Sequence, residues 1–86
     1  MNLQQLRRRI DRLDERLLRL LNQRARLGIQ VGRVKRRQGL RLFDPAREGA
    51  ILKRVSGANP GPLPPEAIRA VYREILRQVR QLERSA

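Results

Sequence analysis

The sequence predicts an all-α fold of three helices, long, short and medium, assembled as an intertwined helical homodimer. Three observations carry this. Apolar residues recur by threes and fours over three separate stretches, every proline falls at a helix start or in a loop, and no stretch alternates as a strand does. The dimer follows from length. At 1.5 Å per residue a first helix over residues 3–37 is about 50 Å long, whereas a compact chain of this size has a radius of gyration of about 12 Å. One end of that helix must carry its leucines beyond its own core, and a second copy of the chain would cover them.

The first helix is expected over about 3–37, with a seam of Leu3, Leu6, Ile10, Leu13, Leu17, Leu20, Leu27, Val31 and Val34. Lys35, Arg36 and Arg37 occupy its last turn, where cations suit the helix dipole, and Gly39 follows. Gly28 and Gly32 lie one turn apart within it. They mark either a close approach by another helix or a tolerated weak spot. Asp44-Pro45 reads as an N-cap acid and a first-turn proline, opening a second helix over about 45–56 with Ile51, Leu52 and Val55 as its stripe. The run from Gly57 to Leu63 is a turn-rich loop. Pro64-Pro65-Glu66 then opens a third helix to about residue 84, with Ile68, Val71, Tyr72, Ile75, Leu76, Val79 and Leu82 on one face. The whole chain, 1–86, reads as one domain.

Composition narrows the chemistry. With no cysteine, histidine or threonine, and serine only at positions 56 and 85, thiol, zinc-thiolate, Ser-His and other covalent mechanisms have no residues to run on. No cofactor is expected. The N-terminal stretch MNLQQLRRRIDRLDERLL is charged every few residues, and no segment is apolar enough to span a bilayer, so a soluble cytoplasmic protein is expected. The 21 Lys and Arg against 8 Asp and Glu leave a formal charge of +13, which favours any polyanion. A small helical nucleic-acid binder is the obvious rival. Against it, Phe43 and Tyr72 are the whole aromatic content, too little for a stacking platform, and no helix-turn-helix spacing is present.

Most of the arginines need no special account. Arg69, Arg73, Arg77, Arg80 and Arg84 follow helical spacing away from the stripe and read as a solvated face, as largely do Arg7, Arg8 and Arg9. The informative charges lie on apolar faces. Arg24 interrupts the seam, and Lys35 stands eleven residues on, pointing nearly the same way. Glu48 precedes Ile51, Leu52 and Val55 at three, four and seven, and Glu83 follows Val79 and Leu76 at four and seven. Every helix therefore sends a charge inward, and a buried charge is costly unless paired. Two readings stay open. Arg24 pairs with Glu48 or Glu83 as a register device, or the helices enclose a polar pocket with excess positive charge for a small anion, held by the planar arginine fork.

The run LRRRIDRLDERLLRLLNQRARLGIQVGRVKRRQGL resembles the first helix of the all-helical chorismate mutases, and FDPAREGAILKRV resembles their D-x-x-R-E second helix. The resemblance covers essentially the whole chain, and the fixed spacing of Arg7, Arg24, Lys35, Asp44, Arg47 and Glu48 makes it specific. It implies conversion of chorismate to prephenate, an intramolecular [3,3] rearrangement that needs no nucleophile, metal or obligatory proton transfer. By the same resemblance Arg24 and Arg47 would bind substrate carboxylates, and Arg7 would reach in from the partner subunit of the homodimer. Arg7 sits about 100° around the helix from Arg24, in keeping with that role. Lys35 would bond the ether oxygen and a carboxylate. Glu48, with Asp44 nearby, would accept the ring hydroxyl, although N-capping alone would account for Asp44. Two positions depart from the commoner family pattern. Glu83 stands where many members have a glutamine that donates to the ether oxygen, and Val79 stands where a serine often helps hold a carboxylate. Lys35, Glu83 and Arg24 are thus the expected catalytic residues, with Glu83 required as the protonated acid. A non-catalytic regulatory or docking module of the same fold is the second alternative.

Overall fold

The computed structural model describes residues 1–85; Ala86, the last residue of the expected domain, lies outside the described residues. It contains three helices in the expected order, α1 (Leu3–Arg37), α2 (Pro45–Ala58) and α3 (Pro65–Ser85). Asn2 caps α1 through a reciprocal pair of bonds. Its side-chain oxygen accepts from the Gln5 amide at 2.8 Å, and the Gln5 side-chain oxygen accepts from the Asn2 amide at 2.9 Å. Asp44 caps α2 as expected, accepting from the Arg47 amide at 3.0 Å.

α2 runs two residues past its expected end. Gly57 is carried within the helix, and the stop comes at Asn59, whose φ of −69° and ψ of 119° are extended. Pro60 imposes that geometry on the residue before it. The Asn59 side chain then organises the loop, donating to the Leu63 carbonyl at 2.6 Å and accepting from the Gly61 amide at 3.2 Å.

The molecule is elongated, 55 × 25 × 15 Å with a radius of gyration of 15.8 Å, above the roughly 12 Å of a compact chain. α3 is the hub: it packs against α1 on one side and α2 on the other. The apolar core within one chain is small, with Ile51 of α2 and Leu76 and Val79 of α3 buried. Residues 1–23 are exposed throughout, including Leu3, Leu6, Ile10, Leu13, Leu17 and Leu20 of the seam.

Where α1 and α3 meet, two glycines receive two side chains. A Cβ on Gly28 would stand 2.3 Å from Val79 Cγ1, and one on Gly32 would stand 3.1 Å from Glu83 Cβ and Cγ. Gly28 and Gly32 are four residues apart on α1, as Val79 and Glu83 are on α3, so one pair seats the other. The close-approach reading of these glycines therefore holds. Gly28→Ala would gain up to about 1 kcal/mol in helix propensity. Overpacking against the stiff valine costs about 1–3 kcal/mol and outweighs it. The urea midpoint of Gly28→Ala is expected below that of the wild type; an unchanged or raised midpoint would contradict the packing argument.

Two of the arginines assigned to the solvated face of α3 are not there. Arg69 donates from Nη1 to Ser56 Oγ of α2 at 3.2 Å, and Arg80 is half-buried against α2. The reason is geometric. A helix packed on two sides covers more of its circumference than a single stripe, so residues one step from the stripe meet the second neighbour. Arg77 does sit on the solvated side, with Glu74. Its Nε donates to Glu74 Oε2 at 2.9 Å, which together with Gln78 pulls the Glu74 carboxyl down to about 2. As an exposed pair it adds little to stability.

Candidate active site

The three helices enclose a pocket of about 290 Å³ beside the α1–α3 contact. Gly28, Val31, Ile51, Leu76 and Val79 give it apolar walls, and charged side chains come from every helix. α1 supplies Arg24 and Lys35, α2 supplies Arg47, Glu48 and Arg54, α3 supplies Arg80 and Glu83, and Asp44 stands at the cap of α2. Five cationic side chains thus face three acidic ones, an arrangement suited to a small polyanion.

Of the residues singled out from the sequence, Arg24, Lys35, Asp44, Arg47, Glu48 and Glu83 come together in this one pocket. Arg7 does not. It lies 17 residues before Arg24, about 25 Å back along α1, on the exposed end of the helix. The ion-pair reading of Arg24 fails: Arg24 bonds to neither Glu48 nor Glu83. The ion pair that reaches Glu48 comes from Arg80, with Nε 2.9 Å from Glu48 Oε2.

Lys35 is half-buried, and its Nζ donates to the Leu42 carbonyl at 2.9 Å. An ammonium has three donors. One is spent on this tether to the α1–α2 connection, which aims the group and leaves two for the pocket. Asp44 both caps α2 and lines the pocket, so its structural and site roles coincide.

Glu83 is the most unusual group. It is 8 % exposed, and its Oε2 is buried with no hydrogen-bond partner among the described residues. Burial pushes its carboxyl up, and the nearby Glu48 pushes it further, against the opposing pull of Lys35, Arg36 and Arg80. The carboxylic acid form, which can donate a hydrogen bond, therefore persists to higher pH than in an ordinary carboxyl.

A family model of chorismate mutase type II matches residues 6–84. The chain belongs to the type II chorismate mutase family. Its relatives agree. Over 86 aligned residues it is 40 % identical to a bifunctional chorismate mutase/prephenate dehydratase of Aquifex aeolicus, covering 95 % of this chain and 24 % of that protein. It is also 40 % identical over 74 residues to a T-protein of Enterobacter agglomerans, covering 85 % and 20 %. The mutase-family chain thus spans about a quarter or less of the length of these curated relatives. Among solved structures, form II of chorismate mutase from Thermus thermophilus superposes with a TM-score of 0.93 at 41 % identity, covering 94 % of this chain and 92 % of that one. Form I gives 0.87, also at 41 % identity, covering 88 % and 95 %.

Two of the pocket cations of this type II mutase-family chain escape a reading of the sequence. Arg54 lies one turn beyond the Ile51 stripe position, and its spacing alone reads as surface. Arg80 is adjacent to Val79, and only its Glu48 and Phe43 contacts reveal it.

Proposed function

We propose that this pocket converts chorismate to prephenate, and that the chain acts as a cytoplasmic chorismate mutase domain over residues 1–86. The observation that carries the reading is the convergence of Arg24, Lys35, Arg47, Glu48 and Glu83, from three helices, around one partly apolar cavity. In the rearrangement a C–O bond breaks and a C–C bond forms within one molecule. The protein therefore has two tasks: to hold the flexible dicarboxylate in its compact reactive conformer, and to stabilise negative charge growing on the ether oxygen.

Arg24 and Arg47 bind the two carboxylates through their guanidinium forks. Lys35, aimed by the Leu42 carbonyl, places its remaining donors on the ether oxygen and a carboxylate. Glu83, as the acid, donates to the same ether oxygen from α3. Glu48 accepts the ring hydroxyl, with Asp44 holding the start of α2 in place beside it. Val79 offers no hydroxyl, so the carboxylate near it is held by arginine alone.

The assembly is a homodimer in which the exposed seam of α1 packs on a second chain. An open apolar groove between α1 and α3, walled by Leu21, Ala25, Val71, Ile75 and Leu82, supports this. Burying that surface removes leucines from water at about 25 cal/mol per Å². In such a dimer Arg7 enters the partner's pocket. Neither aromatic residue favours the nucleic-acid alternative, since Phe43 is stacked under Arg80 and Tyr72 is half-buried.

Turnover of chorismate by the purified chain is the first test, and the shared site gives a second. Arg7→Ala and Arg24→Ala are each expected to lose most activity. When the two are co-expressed, half the dimers are mixed, and each mixed dimer holds one intact site, so about a quarter of wild-type activity returns. No recovery would contradict a site completed across the interface.

A further inference from the structure

We propose that Arg80 is a positioning residue for this reaction: fixed between Phe43 and Glu48, it holds the Glu48 carboxylate against the pocket wall where the substrate ring hydroxyl is received. The inference rests on the mutase reading above and adds a residue to it.

Three observations place Arg80 in this role. Its side chain is 27 % exposed, and its Nε lies 2.9 Å from Glu48 Oε2, itself on a side chain only 20 % exposed; the contact is an ion pair, since the buried Nε makes no aligned hydrogen bond among the described residues. Its guanidinium stands 4.6 Å from the centre of the Phe43 ring. Phe43 immediately precedes Asp44, the cap of α2, so one arginine of α3 engages both the start of α2 and a side chain on its first turn.

A guanidinium is planar, and a ring beneath it restricts where its charge can sit. The carboxylate paired with that charge is restricted in turn. Glu48 would otherwise sit on a flexible stem in the same pocket as Glu83, and the two acids repel one another. The Arg80 cation beside one Glu48 oxygen holds the carboxylate by charge at the wall of the pocket that both side chains line. A position that a residue holds within about an ångström matters to rate, since misplacement on that scale costs on the order of 10²-fold.

A purely structural arginine would affect stability and leave the coupling to Glu48 at zero. The test is therefore a double-mutant cycle on the full chain, with kcat and KM for chorismate measured for wild type, Arg80→Gln, Glu48→Gln and the double variant. Arg80→Gln is expected to lower kcat on the order of tenfold. In the Glu48→Gln background the same change should alter kcat by less than about twofold, because Arg80 acts through Glu48. Arg80→Lys, which keeps the charge but not the planar stack, should recover part of the loss.

The pH profile gives a second readout. Glu83 is faced by Lys35 and Arg36 of α1, Glu48 of α2 and Arg80 of α3. Removing the Arg80 cation lets Glu83 keep its proton to higher pH, so the decline of kcat should move to higher pH in Arg80→Gln. An equal fall in kcat from Arg80→Gln in both Glu48 backgrounds, or no fall in either, overturns the proposal. If Arg80→Gln does not fold, Phe43→Leu replaces it. That change removes the ring platform, and its smaller fall in kcat should likewise vanish when Glu48 is glutamine. Absence of turnover by the wild type would instead defeat the mutase reading and this inference with it, whereas wild-type turnover with the wrong coupling defeats the inference alone.

Discussion

Lys35→Ala is expected to lower kcat by about 10²–10³-fold, the effect of removing one pre-aimed donor from a site of developing negative charge. That corresponds to about 3–4 kcal/mol of transition-state stabilisation. The size follows from geometry. The Lys35 ammonium is half-buried and already oriented by the Leu42 carbonyl, so little reorganisation accompanies reaction. Because the proposed contact to the ether oxygen would strengthen as the C–O bond breaks, the loss should fall on kcat more than on KM. Lys35→Ala also removes the aliphatic stem that fills the pocket wall, so Lys35→Met, which keeps the length but cannot donate, is the companion variant. Both should lose kcat alike in steady-state assays of chorismate consumption. A loss confined to KM would assign Lys35 to ground-state binding only.

The second large effect concerns Glu83. Its carboxyl is raised by burial and by Glu48 above the ordinary value of 4.5, and in the proposed mechanism the protonated form is the one that donates to the ether oxygen. The wild-type kcat should therefore be highest at low pH and fall as pH rises through the raised value. Glu83→Gln keeps a donor at all pH, so its profile should be flat, and at high pH the variant should exceed the wild type by on the order of 10²-fold. The same residue affects stability with the same sign. Because the folded-state value is raised, its contribution is fully present below the ordinary carboxylate value and is lost as pH rises through the folded-state value. Thermal melts of wild type and Glu83→Gln should accordingly diverge toward high pH, with the variant the more stable. Parallel kcat profiles for the two proteins would rule out a proton on Glu83 as a requirement.

What can be read from the sequence, and what cannot, divides along physical lines. Helix phase is local, so the seam of α1, the Asp44 cap and the inward turn of Arg24, Lys35, Glu48 and Glu83 are all legible from spacing. The glycine pair is legible as a close contact, and the structure supplies its partners, Val79 and Glu83. Arg80 and Arg69 are misassigned by spacing because a single apolar stripe cannot reveal that α3 has neighbours on two sides. The end of α2 falls later than expected because Gly57 only resembles a stop, while the conformational restraint comes from Pro60 acting on Asn59. Arg54 escapes for a different reason: it reaches the pocket from an exposed position, which no periodicity marks. The role proposed for Arg7 needs a second chain, and no property of one chain's fold brings it to a pocket about 25 Å away.

Val79 and Glu83, the two positions whose sequence reading departs from the family resemblance, both face the pocket. Val79 packs into Gly28 and contributes shape where a hydroxyl is common. Glu83 brings a titratable carboxyl, raised by burial, to a wall where an amide would not titrate. Arg80 adds a cation beside Glu48 and one more charge to a pocket already rich in them. The +13 of the whole chain is mostly solvated surface, and only a handful of its cations face this cavity.

The most direct measurement is the loss of chorismate absorbance on adding the purified protein, followed at about pH 5 and at about pH 8, with Lys35→Ala as the control. Saturable conversion to prephenate, faster at the lower pH and abolished in the control, is the predicted result. No conversion at either pH, together with retention on DNA that weakens steeply with salt, would contradict it.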